Sequence, residues 1–328
     1  MALDADTIVD RRRMRRKLTF WRVFAILLAI CAVVVIGTAL HAPGTGLLTG
    51  ATRSSIARVT ITGLIRTDRE RVEALERLGK SPAKAVIVHI NSPGGTTSGS
   101  EELHDSLKRL KEEKPTVVVV DGLAASGGYI AALAADHIIA METSLVGSIG
   151  VLFQYPNFTD ALKTLGIKVE EVKSSPLKAA PNGFEPTSPE ARAAIEAIVK
   201  DSYAWFRALV KDRRGLDDAA LERVADGRVF TGRQGVGLKL VDELGDERTA
   251  LAWLAKDKNI DPKTPVRDFR LRDRLSDLPF LHTAALATLE AVGLGSFAHR
   301  LEEWGAVQAI DRLNLDGLLA LWHPSTAD

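Results

Sequence analysis

The middle of this chain predicts an α/β domain with a largely parallel sheet. Three observations carry that expectation. Val117 to Val120 is a run of four β-branched residues, as in a strand buried on both faces. Leu103, Leu107 and Leu110 recur at helical spacing within Glu101–Lys111. From Arg58 onward, short apolar runs alternate with such amphipathic stretches.

The elements follow in order. Residues 1–22 form a basic segment, with Arg11, Arg12, Arg13, Arg15, Arg16, Lys17 and Arg22 crowded together. Residues 23–40 then run 18 positions without a charge. At ~1.5 Å per residue this spans ~27 Å, enough for a thin bilayer core. The apolar run exceeds the 7–15 residues usual in a cleaved signal peptide, although Gly37-Thr38-Ala39 loosely fits a cleavage site. We therefore expect an uncleaved transmembrane anchor. Basic flanks stay cytoplasmic, which places the rest of the chain outside, in a periplasm-like compartment of a bacterial inner membrane. The same argument turns the basic cluster away from nucleic acid. The net charge of +1 points to no particular partner. The single cysteine, Cys31, lies in the anchor, so the exported part forms no disulfide and depends on a packed core.

Residues 41–55 are rich in Gly, Thr, Ser and Ala and read as a linker. Val59–Ile65 reads as a strand, Arg69–Leu78 as a helix and Ala85–Ile90 as a strand. Glu101–Lys111 is helical, with Ser98 and Glu101 as a capping box and His104 on an exposed face. Asp160–Leu165 and Pro189–Lys211 read as further helices. Residues 257–328 form an extension whose apolar stretch, Leu281 to Trp322, suits an interfacial amphipathic helix, an ordinary packing helix or an oligomer contact.

The chemistry centres on Ser126, in Ala124-Ala125-Ser126-Gly127-Gly128-Tyr129. The serine follows a buried strand and opens an Ala-rich helix start, where backbone N–H groups lack partners. A serine nucleophile also needs a base. His89 and His137 lie inside strands, and the other histidines lie on charged or peripheral segments. The Gly-x-Ser-x-Gly elbow is absent, since Ala124 stands at its first Gly. A lysine is the alternative base, if burial or nearby positive charge keeps it partly neutral. Gly79-Lys80-Ser81 has Ala74 where a phosphate-binding loop needs Gly, and no cofactor or metal motif appears.

Five segments together resemble the signal peptide peptidase A (protease IV) family of membrane-bound Ser–Lys peptidases. They are His89-Ile90-Asn91-Ser92-Pro93-Gly94-Gly95, Ala125–Tyr129, Gly147-Ser148-Ile149-Gly150-Val151, Lys173-Ser174-Ser175-Pro176-Leu177-Lys178, and Ala225–Gly232. The resemblance covers roughly Val59 to Ala255, as one copy of the catalytic unit. It implies a ClpP/crotonase-like β-α superhelical domain over residues 56–256. It implies Ser126 as nucleophile and Lys178, 52 residues on, as base. Ser148 matches a serine that orients the lysine. Gly94, Gly95 and Gly127 match donors of an oxyanion hole. The Ser-Ser-Pro-Leu before Lys178 departs from the family's usual Gly and aromatic.

The implied function is a membrane-anchored serine endopeptidase degrading remnant signal peptides and other apolar peptides. Its partners would be those peptides, the bilayer and further copies of the chain. Two alternatives stay open: a protease for one specific membrane-protein partner, and an inactive peptide-binding scaffold. In two-repeat relatives the serine and lysine come from different repeats. A single-repeat chain therefore implies a homo-oligomer whose neighbouring protomers share each site.

Overall fold

The computed structural model describes residue 21, residues 54–271 and the strand 318–321. The chain divides into two compact units, Met1–Arg53 and Ser54–Asp328. The elements that follow belong to the second. The expected anchor at 23–40, Cys31, the basic cluster before Trp21 and most of residues 272–328 lie outside the described residues. Among the described residues, no helix is long and apolar enough to cross a membrane.

The chain runs β1 (Ile56–Ile65), α1 (Arg69–Gly79), β2 (Ala85–Thr96), α2 (Thr97–Glu113), β3 (Thr116–Ala125) and α3 (Gly127–Ala132). Next come β4 (His137–Ala140), β5 (Leu145–Gly147), β6 (Leu152–Phe153), α4 (Thr159–Thr164) and α5 (Pro189–Arg214). The remainder is α6 (Asp218–Val224), β7 (Val229–Thr231), α7 (Gly232–Gly237), β8 (Glu243–Leu244), α8 (Glu247–Lys258), β9 (Val266–Asp268) and β10 (Leu318–Leu321). Strands β1 to β4 are parallel neighbours. β8 joins β4 and β9 joins β1, both parallel. Beyond β4, β5 pairs parallel with the end of β3 and antiparallel with β7. The expected α/β domain with a largely parallel sheet is present.

Alternation along the strands divides the core into two layers. Val86, Val88 and Ile90 of β2, with Val118 and Val120 of β3, face a large cluster holding Leu75, Leu78, Leu103, Leu107 and Phe206. Ala85, Ile87, Val117, Val119 and Ile139 face the other way, against Ala250 and Leu254 of α8. Each fully buried Val or Leu contributes about 1.5–3 kcal/mol.

Four expectations change. β2 continues six residues past Ile90, because β1 follows it to Ile65↔Gly95 across a register shift. The helix after it starts earlier: Thr96 is extended, and its hydroxyl accepts the Gly99 N–H at 3.1 Å, replacing the Ser98/Glu101 box. His104 is buried at 4% exposure, beside the leucine face of α2. Burial pushes its pKa below the ordinary value, against the raising effect of Asp105. At residues 318–321 the extension forms a strand, antiparallel to β2 and β6, where a helix was expected.

Candidate active site

Ser126 occupies the turn between β3 and α3. Its N–H donates to the Gly147 carbonyl at 2.7 Å, and its carbonyl accepts from Tyr129 and Ile130 at 2.9 Å each. These bonds hold the backbone at φ 53°, ψ −115°, a conformation costly to a residue with a β-carbon. Strain of this kind costs about 1–3 kcal/mol and persists only where the surroundings impose it. The side chain does not cap α3. Among the described residues, its hydroxyl reaches only the Gly150 carbonyl, at a loose 3.5 Å. The residue is 1% exposed. This serine is thus enclosed in a strained turn, and its hydroxyl is not used to cap α3.

The helix behind it is firmly fixed. The Tyr129 hydroxyl donates to the Leu240 carbonyl at 2.8 Å, and burial pushes this phenol well above its ordinary pKa. From α5, Arg213 donates to the carbonyls of Leu133 and Ala135 at 2.7 and 2.8 Å, neutralising the end of α3. The N–H groups of Gly127 and Gly128 open this helix and have no acceptor within it.

The Ser92-Pro93-Gly94-Gly95 segment of β2 closes over the turn. Gly94 lies at φ 101°, open only to glycine without strain. A β-carbon on Gly95 would sit 1.7 Å from the Ile65 carbonyl oxygen. The Gly94 N–H donates to the Ser92 hydroxyl at 3.1 Å, and that hydroxyl donates to the Gly63 carbonyl at 2.7 Å. Gly94 is therefore engaged, while Gly127 offers an N–H without a helical acceptor. Sequence reading missed Ser92. Its signal was a serine two residues before a glycine, the spacing of a side-chain-to-backbone turn.

Ser148 has a similar strained backbone, at φ 52°. Its N–H donates to the Arg228 carbonyl at 2.8 Å, within the pairing of β5 with β7. The Asp226–Arg228 segment thus supports the Ser148 backbone. Asp226 accepts from the Arg228 guanidinium at 2.6 Å, and that pairing holds its carboxyl below the usual range.

Lys178 is exposed, on a short turn where its N–H donates to the Ser175 carbonyl at 3.1 Å. Ala179 after it has φ 58°. Among the described residues, no hydrogen bond or ion pair engages the Lys178 ammonium, so none joins it to Ser126 or Ser148. Lys173 differs: it pairs with Glu171 at 2.7 Å and with Glu185, and both carboxylates hold its pKa above the ordinary value. A lysine so paired keeps its proton. Lys178 has no such carboxylate.

The described histidines are engaged elsewhere. His89 lies between Asp121 and Glu247, at 2.8 Å from each. His104 contacts Asp105 at 3.1 Å, and His137 stacks on Trp253 at 4.8 Å. None touches Ser126. His41, His282, His299 and His323 lie outside the described residues.

Two cavities border the lysine segment. One, of about 580 Å³, is lined by Ser175, Pro176, Leu177, Pro181 and Thr187 among others. Another, of about 280 Å³, lies between Phe153, Tyr155, Pro181, Ile195 and Val199.

The peptidase family S49 model matches residues 108–261, and the Clp protease model matches residues 65–146. The second match spans the strands that carry Gly94, Gly95 and Ser126, in keeping with a mixed α/β, ClpP-like domain. A ClpP1 mutant from Listeria monocytogenes overlaps 58% of this chain and 92% of its own, at 18% identity and TM-score 0.40. A Synechocystis sp. protein named as a candidate protease is 35% identical over 214 residues, 65% of this chain and 77% of its own. A candidate signal peptide peptidase SppA of Enterococcus faecium is 30% identical, over 66% of this chain and 67% of its own. Protease 4 of Haemophilus influenzae is 32% identical over 57% of this chain, which spans only 30% of that longer protein. The motifs, the family model and the three relatives matched by sequence place the chain in peptidase family S49, the signal peptide peptidase A family of serine peptidases.

Proposed function

We propose that this protein is a membrane-anchored endopeptidase that cuts apolar peptides, remnant signal peptides among them, with Ser126 as nucleophile and Lys178 as base. The strained, uncapped Ser126 at the β3–α3 turn carries the reading. Ser126 Oγ attacks the peptide carbonyl, and Lys178 Nζ takes its proton and returns it to the leaving amine. The N–H groups of Gly127 and of the Gly94–Gly95 segment hold the oxyanion, each donor supplying about 3 kcal/mol. Gly94 can join them only if the Ser92 hydroxyl releases its N–H.

The base reaches the nucleophile from a neighbouring copy. The segment from 158 to 184, which holds Lys178, exposes Phe158, Leu165, Ile167, Val169, Val172, Leu177 and Phe184, with Leu165 at 71% exposure. An apolar surface of this kind is suited to a protein contact. Burying it against a second protomer would desolvate Lys178 and favour its neutral, basic form. A head-to-tail contact closes into a ring. Anchors at residues 23–40 would hold that ring on the outer face of a bacterial inner membrane, near substrates that leave the bilayer reluctantly.

Mixing tests both parts. Ser126→Ala and Lys178→Ala chains should each be inactive alone. Together they should regain part of the peptide cleavage, because some interfaces pair an intact Ser126 with an intact Lys178. No rescue in demonstrably mixed oligomers would place the dyad within one chain.

A further inference from the structure

We infer that Lys173 is a positioning residue for the proposed reaction: it ties together the two ends of the turn that carries Lys178, and it occupies carboxylates that would otherwise pair with that base. The inference rests on the reading of Lys178 as base. It begins with how little else holds the turn. No helix or strand includes residues 174–181. Among the described residues, their backbone hydrogen bonds are local: Lys178 N–H to the Ser175 carbonyl at 3.1 Å, and Ala180 N–H to the Leu177 carbonyl at 3.3 Å. A segment bonded only to itself takes its place from its ends.

Those ends meet in one polar cluster. Lys173 Nζ donates to Glu171 Oε2 at 2.7 Å and to Glu185 Oε1. Asn182 Nδ2 bridges the same two carboxylates, at 3.2 Å from Glu171 Oε1 and 3.2 Å from Glu185 Oε1. Its Oδ1 accepts the N–H groups of Phe184 and Glu185 at 2.9 and 3.2 Å. Residues 171–173 are thus joined to 182–185, with Lys178 near the middle of the chain between them. The far end is fixed in turn. Phe158 N–H donates to the Gly183 carbonyl at 2.8 Å, and the Tyr155 and Thr187 hydroxyls are hydrogen-bonded at 2.8 Å. A β-carbon at Gly183 would lie 2.8 Å from the Pro156 carbonyl oxygen, so only glycine permits this approach.

Charge gives the cluster its second part. Glu185 lines the cavity of about 580 Å³ together with Ser175, Leu177 and Ala180 of the turn, and Glu190 of α5 lines it too. A lysine that pairs with a carboxylate is favoured in its charged form and serves poorly as a base. Lys173 already holds Glu171 and Glu185, and both raise its own pKa above the ordinary value. It keeps its proton, and Lys178 is left without a carboxylate partner.

The test compares full-length variants on an apolar peptide, reading kcat, KM and the acid limb of the kcat profile. Lys173→Met should lower kcat about tenfold with KM unchanged, because the base is held less well. Its acid limb should move up by about one pH unit, because freed carboxylates favour the charged base. Lys173→Met combined with Glu185→Gln should reverse most of that shift while kcat stays low, since the tie is still absent. Glu190 is present throughout, so it cancels from the comparison. Lys173→Arg retains donors for both carboxylates and should keep kcat within about threefold of wild type. Wild-type kcat in Lys173→Met, an unmoved acid limb, a shift that Glu185→Gln leaves in place, or a Lys173→Arg chain as impaired as Lys173→Met would each overturn the inference. Lys178→Ala separates it from the proposed function. If Lys178→Ala is inactive while Lys173→Met gives one of those results, only this inference fails. If Lys178→Ala still cuts the peptide, the base reading fails and this inference falls with it.

Discussion

Gly128 packs directly on Ser92: a β-carbon at position 128 would lie 2.6 Å from the Ser92 carbonyl oxygen. That contact sets the distance between the nucleophile turn and the Ser92–Gly95 segment. Gly128→Ala must push one away from the other. We expect a loss of about 1–3 kcal/mol in stability from overpacking. We also expect about a hundredfold loss in kcat/KM, since a shift near 1 Å suffices for that. Gly237→Ala is the control, because nothing lies within 4 Å of its added carbon. It should match wild type in both urea unfolding and peptide turnover.

Strain at Ser126 separates stability from activity. Ser126→Ala and Ser126→Gly should both abolish cleavage. Glycine accepts φ 53° without strain, so the Gly variant should be the more stable of the two by about 1 kcal/mol. Melting curves should separate them by about 2–4 °C for a domain of this size. Equal melting temperatures would mean the turn stores no strain.

Arginine at position 178 tests proton transfer. Guanidinium keeps its proton at any working pH, so Lys178→Arg should be as inactive as Lys178→Ala. Ser148→Ala should lower kcat less, since an orienting group moves no proton. Substantial turnover by Lys178→Arg would exclude lysine as the base.

Acid stability should depend on Glu247. Hydrogen bonds from Arg58 lead, and those from His89 add, in holding its carboxyl below the ordinary 4.5. A depressed folded pKa gives stability that is present above the unfolded value and lost as pH falls through the folded one. Wild type should therefore lose stability below about pH 4.5 more steeply than Glu247→Gln. Denaturant midpoints between pH 6 and about 3 would show the two curves converging on the acid side. Parallel curves would mean that Glu247 does not titrate differently on unfolding.

Local order in the sequence carried far. The valine run at 117–120 and the leucine spacing of α2 follow from periodicity, because burial imposes it on strands and helices alike. Ser126 was legible as a nucleophile candidate because a strand, a small-residue turn and a helix start adjoin within a dozen residues. Gly94 and Gly95 were legible because Pro93 and two glycines mark a special backbone by composition alone.

The rest depended on residues far apart in the chain. His104 reads as exposed from its charged neighbours, but α2 rotates it into the core beside the leucine face. Arg228 supports Ser148 across 80 residues, through a strand pairing that no local pattern encodes. β10 meets β2 more than 200 residues downstream, because β3 turns away and leaves an edge open. Lys178 shows the division most clearly. Its motif names it from the sequence, yet the folded chain leaves it exposed and joined to neither serine. The residues of the proposed dyad were read from the sequence. Whether they meet is decided by tertiary and quaternary packing, because a lysine becomes a base only where a surface covers it.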